Sequence, residues 1–158
     1  MRITRVWWGT TDPDTDRYRD WAIVRLEKPV GNRYGWMGVR PLNLAQFAWY
    51  RVNMAGYSGD FRGGDTATAH LGCAILNTRA GNGMLYHDCE GTRGSSGAAM
   101  FETPLPNQPY IVAMNVAEAR EGGEVSLHPA QYSERFTNIA IGIQELSATL
   151  QRIAVGAQ

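Results

Sequence analysis

The chain has few of the residues that most often announce a cofactor or a compartment. Its 158 residues hold only 2 Cys and 3 His. Two cysteines still leave one disulfide, two thiols or half a metal site open. No apolar stretch of about 18 residues occurs, so no membrane-spanning helix is expected. The longest apolar run, Ile111 to Ala117, is broken by Asn115. Met1-Arg2-Ile3-Thr4-Arg5 is not followed by the apolar segment of a signal peptide. There is no excess of either charge, with 15 Lys+Arg against 15 Asp+Glu. That balance argues against nucleic acid or an anionic membrane as the main partner. Lys28 is the only lysine, which reads as genome composition.

What the chain does have is core material and turns. Hydrophobic residues at 44% against 19% charged exclude a disordered chain. The length fits one domain with its own core. Ile3 to Trp8 alternates as a strand with two packable faces, and Trp21 to Leu26 reads as a second, stopped by Pro29 and Gly31. Asn32 to Pro41 is turn-rich. Phe47 to Ala55 reads as a longer strand ending at Gly56, followed by a glycine-rich loop from Ser58 to Asp65. Short strands are expected at Cys73 to Leu76, Met84 to His87, Ala98 to Phe101 and Tyr110 to Val116, with a hairpin turn in Asn77 to Gly83. Ile139, Ile143, Leu146, Leu150 and Ile153 fall on one helical face, with Thr137 or Asn138 as the cap. Many short strands and one terminal helix predict an antiparallel barrel or sandwich with a helix packed outside.

Two segments carry chemistry. In Gly94-Ser95-Ser96-Gly97 a serine sits on a tight turn that can expose its hydroxyl. The N–H groups of Gly94 and Ser96 can stabilise an oxyanion, and the run Ala98 to Phe101 would anchor the turn. Taken alone, such a segment is more often a flexible turn. Asp20 opens the apolar strand Trp21 to Leu26. A carboxylate there orients an imidazole or is simply a strand-start residue.

Together with the cysteine pair, these segments resemble the trypsin-like (chymotrypsin-fold) serine peptidases, nearest the bacterial glutamyl-endopeptidase-like branch. Asp20-Trp21-Ala22-Ile23-Val24-Arg25-Leu26 is similar to the family's aspartate strand, and Ala55-Gly56-Tyr57-Ser58-Gly59-Asp60 to its Gly-Tyr turn. His70-Leu71-Gly72-Cys73 resembles the strand of the first half-cystine, and His87-Asp88-Cys89 leads into the serine loop. Asn138-Ile139-Ala140-Ile141 resembles the approach to the C-terminal helix. The likeness runs from about Ile3 to about Ile153.

The resemblance implies an all-β, chymotrypsin-like antiparallel barrel with a C-terminal helix. Residues 1–45 would be the last strands of a first barrel plus the connector, 46–138 the second barrel, and 139–158 the helix and tail. Ser96 would be the nucleophile and Asp20 the orienting carboxylate, with Gly94 and Ser96 forming the oxyanion hole. Ser95 occupies a position where such enzymes often carry Asp. No metal or organic cofactor is implied. The partner would be a peptide or protein substrate.

The family's histidine precedes its aspartate, and none of the nineteen residues before Asp20 is His. His70 matches the non-catalytic strand before Cys73, and His87 and His128 read as loop or surface residues. The base is thus expected outside this chain, on an upstream segment that completes the first barrel. The chain alone is expected to hydrolyse peptides poorly or not at all. A pseudo-peptidase, or a plain β-barrel binding module, is the alternative.

A Cys73–Cys89 disulfide steadying the serine loop is the simpler reading of the cysteines. Zinc bound with His70 and His87 meets an awkward one-residue spacing at His87-x-Cys89. A disulfide implies secretion or the periplasm, hence a leader. Glu90 is at the position of the pocket floor, where it would favour Arg or Lys, or it is a solvated loop residue. Asn115 is where glutamyl endopeptidases place a pocket His, so a preference for acidic side chains is not supported. Trp7, Trp8, Trp21, Trp36 and Trp49 read as packing residues.

Overall fold

The computed structural model describes residues 1–42, 49–78, 84–118 and 137–156. Among the described residues nine strands and two α-helices follow one another: β1 (Ile3–Trp8), β2 (Ala22–Leu26), α1 (Gly31–Tyr34), β3 (Gly38–Val39), β4 (Tyr50–Gly56), β5 (Thr68–Thr78), β6 (Met84–His87), β7 (Ala99–Leu105), β8 (Gln108–Glu118), β9 (Asn138–Gly142) and α2 (Gln144–Val155). Of the expected strand Phe47 to Ala55, the first two residues lie outside the described residues, as does most of the hairpin turn before β6.

β8, β7, β4, β5, β6 and β9 pair in that order, and β9 pairs back onto β8. All these pairings are antiparallel, so the six strands form a closed barrel. Closure leaves no unpaired edge. β3 adds in parallel at Tyr110 and Ile111, the end of β8 that β9 does not reach. Val52 and Met54 alternate inward from β4 and meet Cys73, Ile75, Leu85, Met100, Val112 and Ala140 in the core. The connector is clasped to the barrel by Glu102, which accepts from Tyr50 Oη and pairs with Arg40 Nε at 2.8 Å. Burial first, and then Glu102, pushes the Tyr50 phenol up.

The helix starts later than its spacing predicts. Asn138 to Gly142 is a strand, and α2 begins at Gln144 with no side-chain cap. Thr137 and Asn138 do not cap it; Asn138 Nδ2 instead donates to Cys89 O at 2.7 Å. The reason is burial on both faces. Ala140 points into the barrel core, while Ile141 packs outward with Ile143 and Leu146. A strand covered on both sides loses its alternation and can imitate a helical stripe. The barrel therefore continues to Gly142, beyond the boundary expected at 138.

β1 and β2 form a separate two-stranded sheet. It packs on the barrel through Trp21 and Ile23, which join the cluster of Ile141, Ile143 and Leu146. The tryptophans do not all pack as expected. Trp8, Trp36 and Trp49 are 65%, 78% and 60% exposed.

Cys73 and Cys89 are joined in a disulfide, with their Cα atoms 4.9 Å apart. Both half-cystines are buried. They tie β5 to the loop that follows β6. The bridge closes a loop of 16 residues. Replacing both by Ala is expected to destabilise by about 3 kcal/mol in the chain-entropy account. That is a fall in Tm of roughly 6–12 °C, readable by calorimetry. An unchanged Tm would show that the barrel alone holds these segments together.

Candidate active site

The serine loop is built from two successive turns. Ser95 N–H donates to Thr92 O at 3.0 Å, and Ala98 N–H donates to Ser95 O at 3.0 Å. The third residue of each turn is a glycine at positive φ, Gly94 at 103° and Gly97 at 83°. A type II turn demands that backbone, which L side chains adopt only with strain. A Cβ on Gly97 would meet nothing within 4 Å, whereas one on Gly94 would lie 3.2 Å from Tyr57 O. Gly97→Ala is therefore expected to cost about 1 kcal/mol from backbone strain alone. Gly94→Ala should cost more. Urea midpoints of the two variants test the order, and the reverse order would contradict the turn geometry.

The loop is pinned on both sides. Gly97 N–H donates to Asn115 O at 2.8 Å and Asn115 N–H to Ala98 O at 3.0 Å, tying it to β8. Gly59 N–H donates to Arg93 O at 2.8 Å. Thr92 N–H donates to Ser58 Oγ at 2.8 Å, and Thr92 Oγ1 donates to Asp60 Oδ1 at 2.9 Å. Hydrogen bonding from Ser58, then Thr92, holds the Asp60 carboxyl below its ordinary range despite some burial. The Gly-Tyr turn and the serine loop thus share one polar seam.

Within this frame Ser95 is buried and Ser96 is exposed. Ser96 Oγ has one long contact, to Val116 O at 3.5 Å. Among the described residues the N–H groups of Gly94 and Ser96 have no hydrogen-bond partner. An exposed hydroxyl therefore lies beside two uncommitted main-chain donors.

A cleft of about 570 Å³ opens between the β1–β2 sheet and the barrel. Trp8, Asp20 and Trp21 line one side; Gly97, Met114 and Val116 line the other. Asp20 sits between a 3-10 turn (Arg17–Arg19) and β2, with its N–H donating to Arg17 O at 3.2 Å. Asp20 and Gly97, the residue next to Ser96, thus border one cavity.

The other candidates lie elsewhere. Glu90 is exposed and outside the cleft lining; its N–H donates to His70 Nδ1 at 2.9 Å. Asn115 does not wall the cleft. Its neighbours Met114 and Val116 do, while Asn115 itself is 3% exposed and turned inward, as strand alternation requires. His87 is not a loop or surface residue but fully buried, with Nε2 3.1 Å from Asn115 Oδ1. It sits at the end of β6, paired with Ile75 of β5 on one side and Asn138 of β9 on the other. Burial drives its pKa down to about 4, against smaller opposing effects of Asn115, Asp88 and the Ile139 main chain. His128 lies outside the described residues. No histidine among the described residues lines the cleft. Zinc at the cysteines is ruled out, because both thiols are consumed in the disulfide.

A closed antiparallel barrel followed by a helix, with a second small sheet across a cleft, is the chymotrypsin-like fold. One solved structure of that fold to which the chain is similar is described as a Glu endopeptidase in complex with MPD. The match has a TM-score of 0.66 at 20% identity and covers 99% of this chain. This chain spans 64% of that structure's length. No protein-family model matches the sequence, and no curated protein matches it.

Proposed function

We propose that this chain is the second barrel, with the closing strands of the first, of a trypsin-like serine endopeptidase. The observation that carries the reading is the shared cleft, with Asp20 on one wall and Gly97, next to Ser96, on the other. In this reading Ser96 Oγ attacks the peptide carbonyl while a histidine takes its proton. Asp20 holds the imidazole in the right tautomer, and the Gly94 and Ser96 N–H groups bind the oxyanion. The histidine returns the proton to the leaving amine, and water then releases the acyl group from Ser96. No metal or cofactor enters the scheme.

The base is assigned to a histidine outside these 158 residues, on a segment that completes the first barrel. What supports this is the order of the residues, with no His before Asp20, and the greater length of the matched structure. Glu90 lies outside the cleft lining, so no preference for Arg or Lys is assigned to it. The disulfide is consistent with an extracellular or periplasmic location, and no described helix is long and apolar enough to cross a membrane. The second reading is a pseudo-peptidase that keeps the fold for binding.

A fluorophosphonate probe separates the two. The protein carrying the upstream segment is expected to label at Ser96, and the chain alone to label poorly. Labelling that persists in Ser96→Ala would remove the serine from its role. A longer protein that never labels would be the pseudo-peptidase.

A further inference from the structure

Three buried side chains hold the serine loop from inside the barrel. Ser95, Asn115 and His87 are 5%, 3% and 0% exposed. Their hydrogen bonds can be assigned proton by proton. Asn115 Nδ2 lies 3.0 Å from Ser95 O, which only accepts, so the amide NH2 must face it. Asn115 Oδ1 is then the atom 3.1 Å from His87 Nε2, and an amide oxygen also only accepts. His87 therefore carries its proton on Nε2. The same Nδ2 is 3.1 Å from Ser95 Oγ, which passes its own proton to Thr92 O at 2.7 Å. All donors run one way, from His87 through Asn115 and Ser95 to Thr92. Such a directed chain is mutually reinforcing in a dry interior. His87 Nδ1 is buried and, among the described residues, makes no hydrogen bond of good geometry, although the Ile139 main chain lies close to the ring.

In a trans peptide the N–H points opposite to the C=O. All the described peptides are trans. The carbonyl of Ser95, held inward by Asn115, belongs to the same peptide plane as the N–H of Ser96. Pulling one in turns the other out. On the far side of Ser95, Gly59 N–H holds Arg93 O at 2.8 Å, which turns the Gly94 N–H away from Gly59.

We propose that Asn115, oriented by His87, is the positioning residue of the serine loop, setting the outward direction of the Ser96 N–H. The proposal deepens the peptidase reading, in which that N–H is an oxyanion donor; its structural part stands without catalysis. The Asn115 side chain acts from behind the loop, on the Ser95 carbonyl.

The test compares hydrogen-bonding and non-bonding replacements of similar bulk. His87→Gln keeps a donor for Asn115 Oδ1, and His87→Leu removes it. Amide hydrogen exchange of Ser95 and Ala98 is expected to quicken at least about tenfold in His87→Leu and in Asn115→Leu. In His87→Gln it should stay within about threefold, with β4 and β5 amides unchanged in all three. Equal exchange in the Gln and Leu variants would overturn the proposal, because packing alone would then explain the site. Should the Leu variants not fold, the wild-type protein decides by nitrogen NMR. An Nε2–H tautomer at His87 supports the chain of donors, and an Nδ1–H tautomer overturns it. Failure of Ser96 to label in the longer protein, with loop exchange as expected, would indict the peptidase reading and leave the clamp intact.

Discussion

Ser96→Ala is expected to lower the proposed peptide hydrolysis by at least about 10³-fold in a protein that includes the proposed upstream segment. The reason is that no second nucleophile stands in the loop: Ser95 is buried, and its hydroxyl is committed to Thr92 O. Asp20→Asn is expected to cost on the order of 10⁴-fold, as loss of the orienting carboxylate does in enzymes of this mechanism. Both side chains are exposed. Their replacement should therefore change stability by no more than about 0.5 kcal/mol. Activity and Tm together separate a chemical role from a structural one. The decisive measurement is kcat/KM on peptide substrates, beside a melting curve. Turnover that survives Ser96→Ala would remove the serine mechanism. Brisk turnover by the isolated chain, lost in Ser96→Ala, would place the base within these residues and bring His70 back into consideration.

The second large effect is on stability. His87 is buried with a pKa lowered to about 4, chiefly by loss of hydration. The unfolded imidazole titrates near 6.5. Between these values the unfolded chain binds a proton that the folded chain refuses, so stability rises with pH there. The contribution is complete above about pH 6.5 and is lost progressively as pH falls to about 4. The total is about 3 kcal/mol, and it does not grow further below that pH. Urea midpoints at pH 7, 5.5 and 4 measure it. His87→Gln cannot titrate and should flatten the slope in that window. Asp60 acts lower: its depressed pKa gives stability that is lost as pH falls beneath the ordinary carboxylate range. A midpoint independent of pH from 7 to 4 would show that His87 reaches water.

Much of the fold was legible because its signals are local. Alternation in β4, the glycines of the serine loop and the short apolar strands were each readable from a few neighbouring residues. β9 was not. Ile139 and Ile143 share a helical spacing with Leu146 and Leu150, yet the first belongs to a strand buried on both faces. Periodicity reports one exposed face, and here there was none to report. The candidate site divides in the same way. The serine turn and its flanking glycines were visible, and Asp20 was placed by its strand. The inward direction of Asn115 and His87 was not visible, because it depends on which strands meet across the barrel. One signal did point to Asn115: it is a polar residue interrupting an apolar run, and a buried polar group needs partners.

By itself the sequence determined that the chain is β-rich, that two cysteines sit beside a serine flanked by glycines, and that an aspartate opens an apolar strand. These are properties of residue type and spacing, set within a few bonds. Only the tertiary structure decided that β9 closes the barrel, that the two thiols meet, that Asp20 and Gly97 border one cleft, and that His87 and Asn115 stand behind the serine. Each of these joins residues far apart in the chain. Closure of the barrel brings them together, and no local preference encodes it.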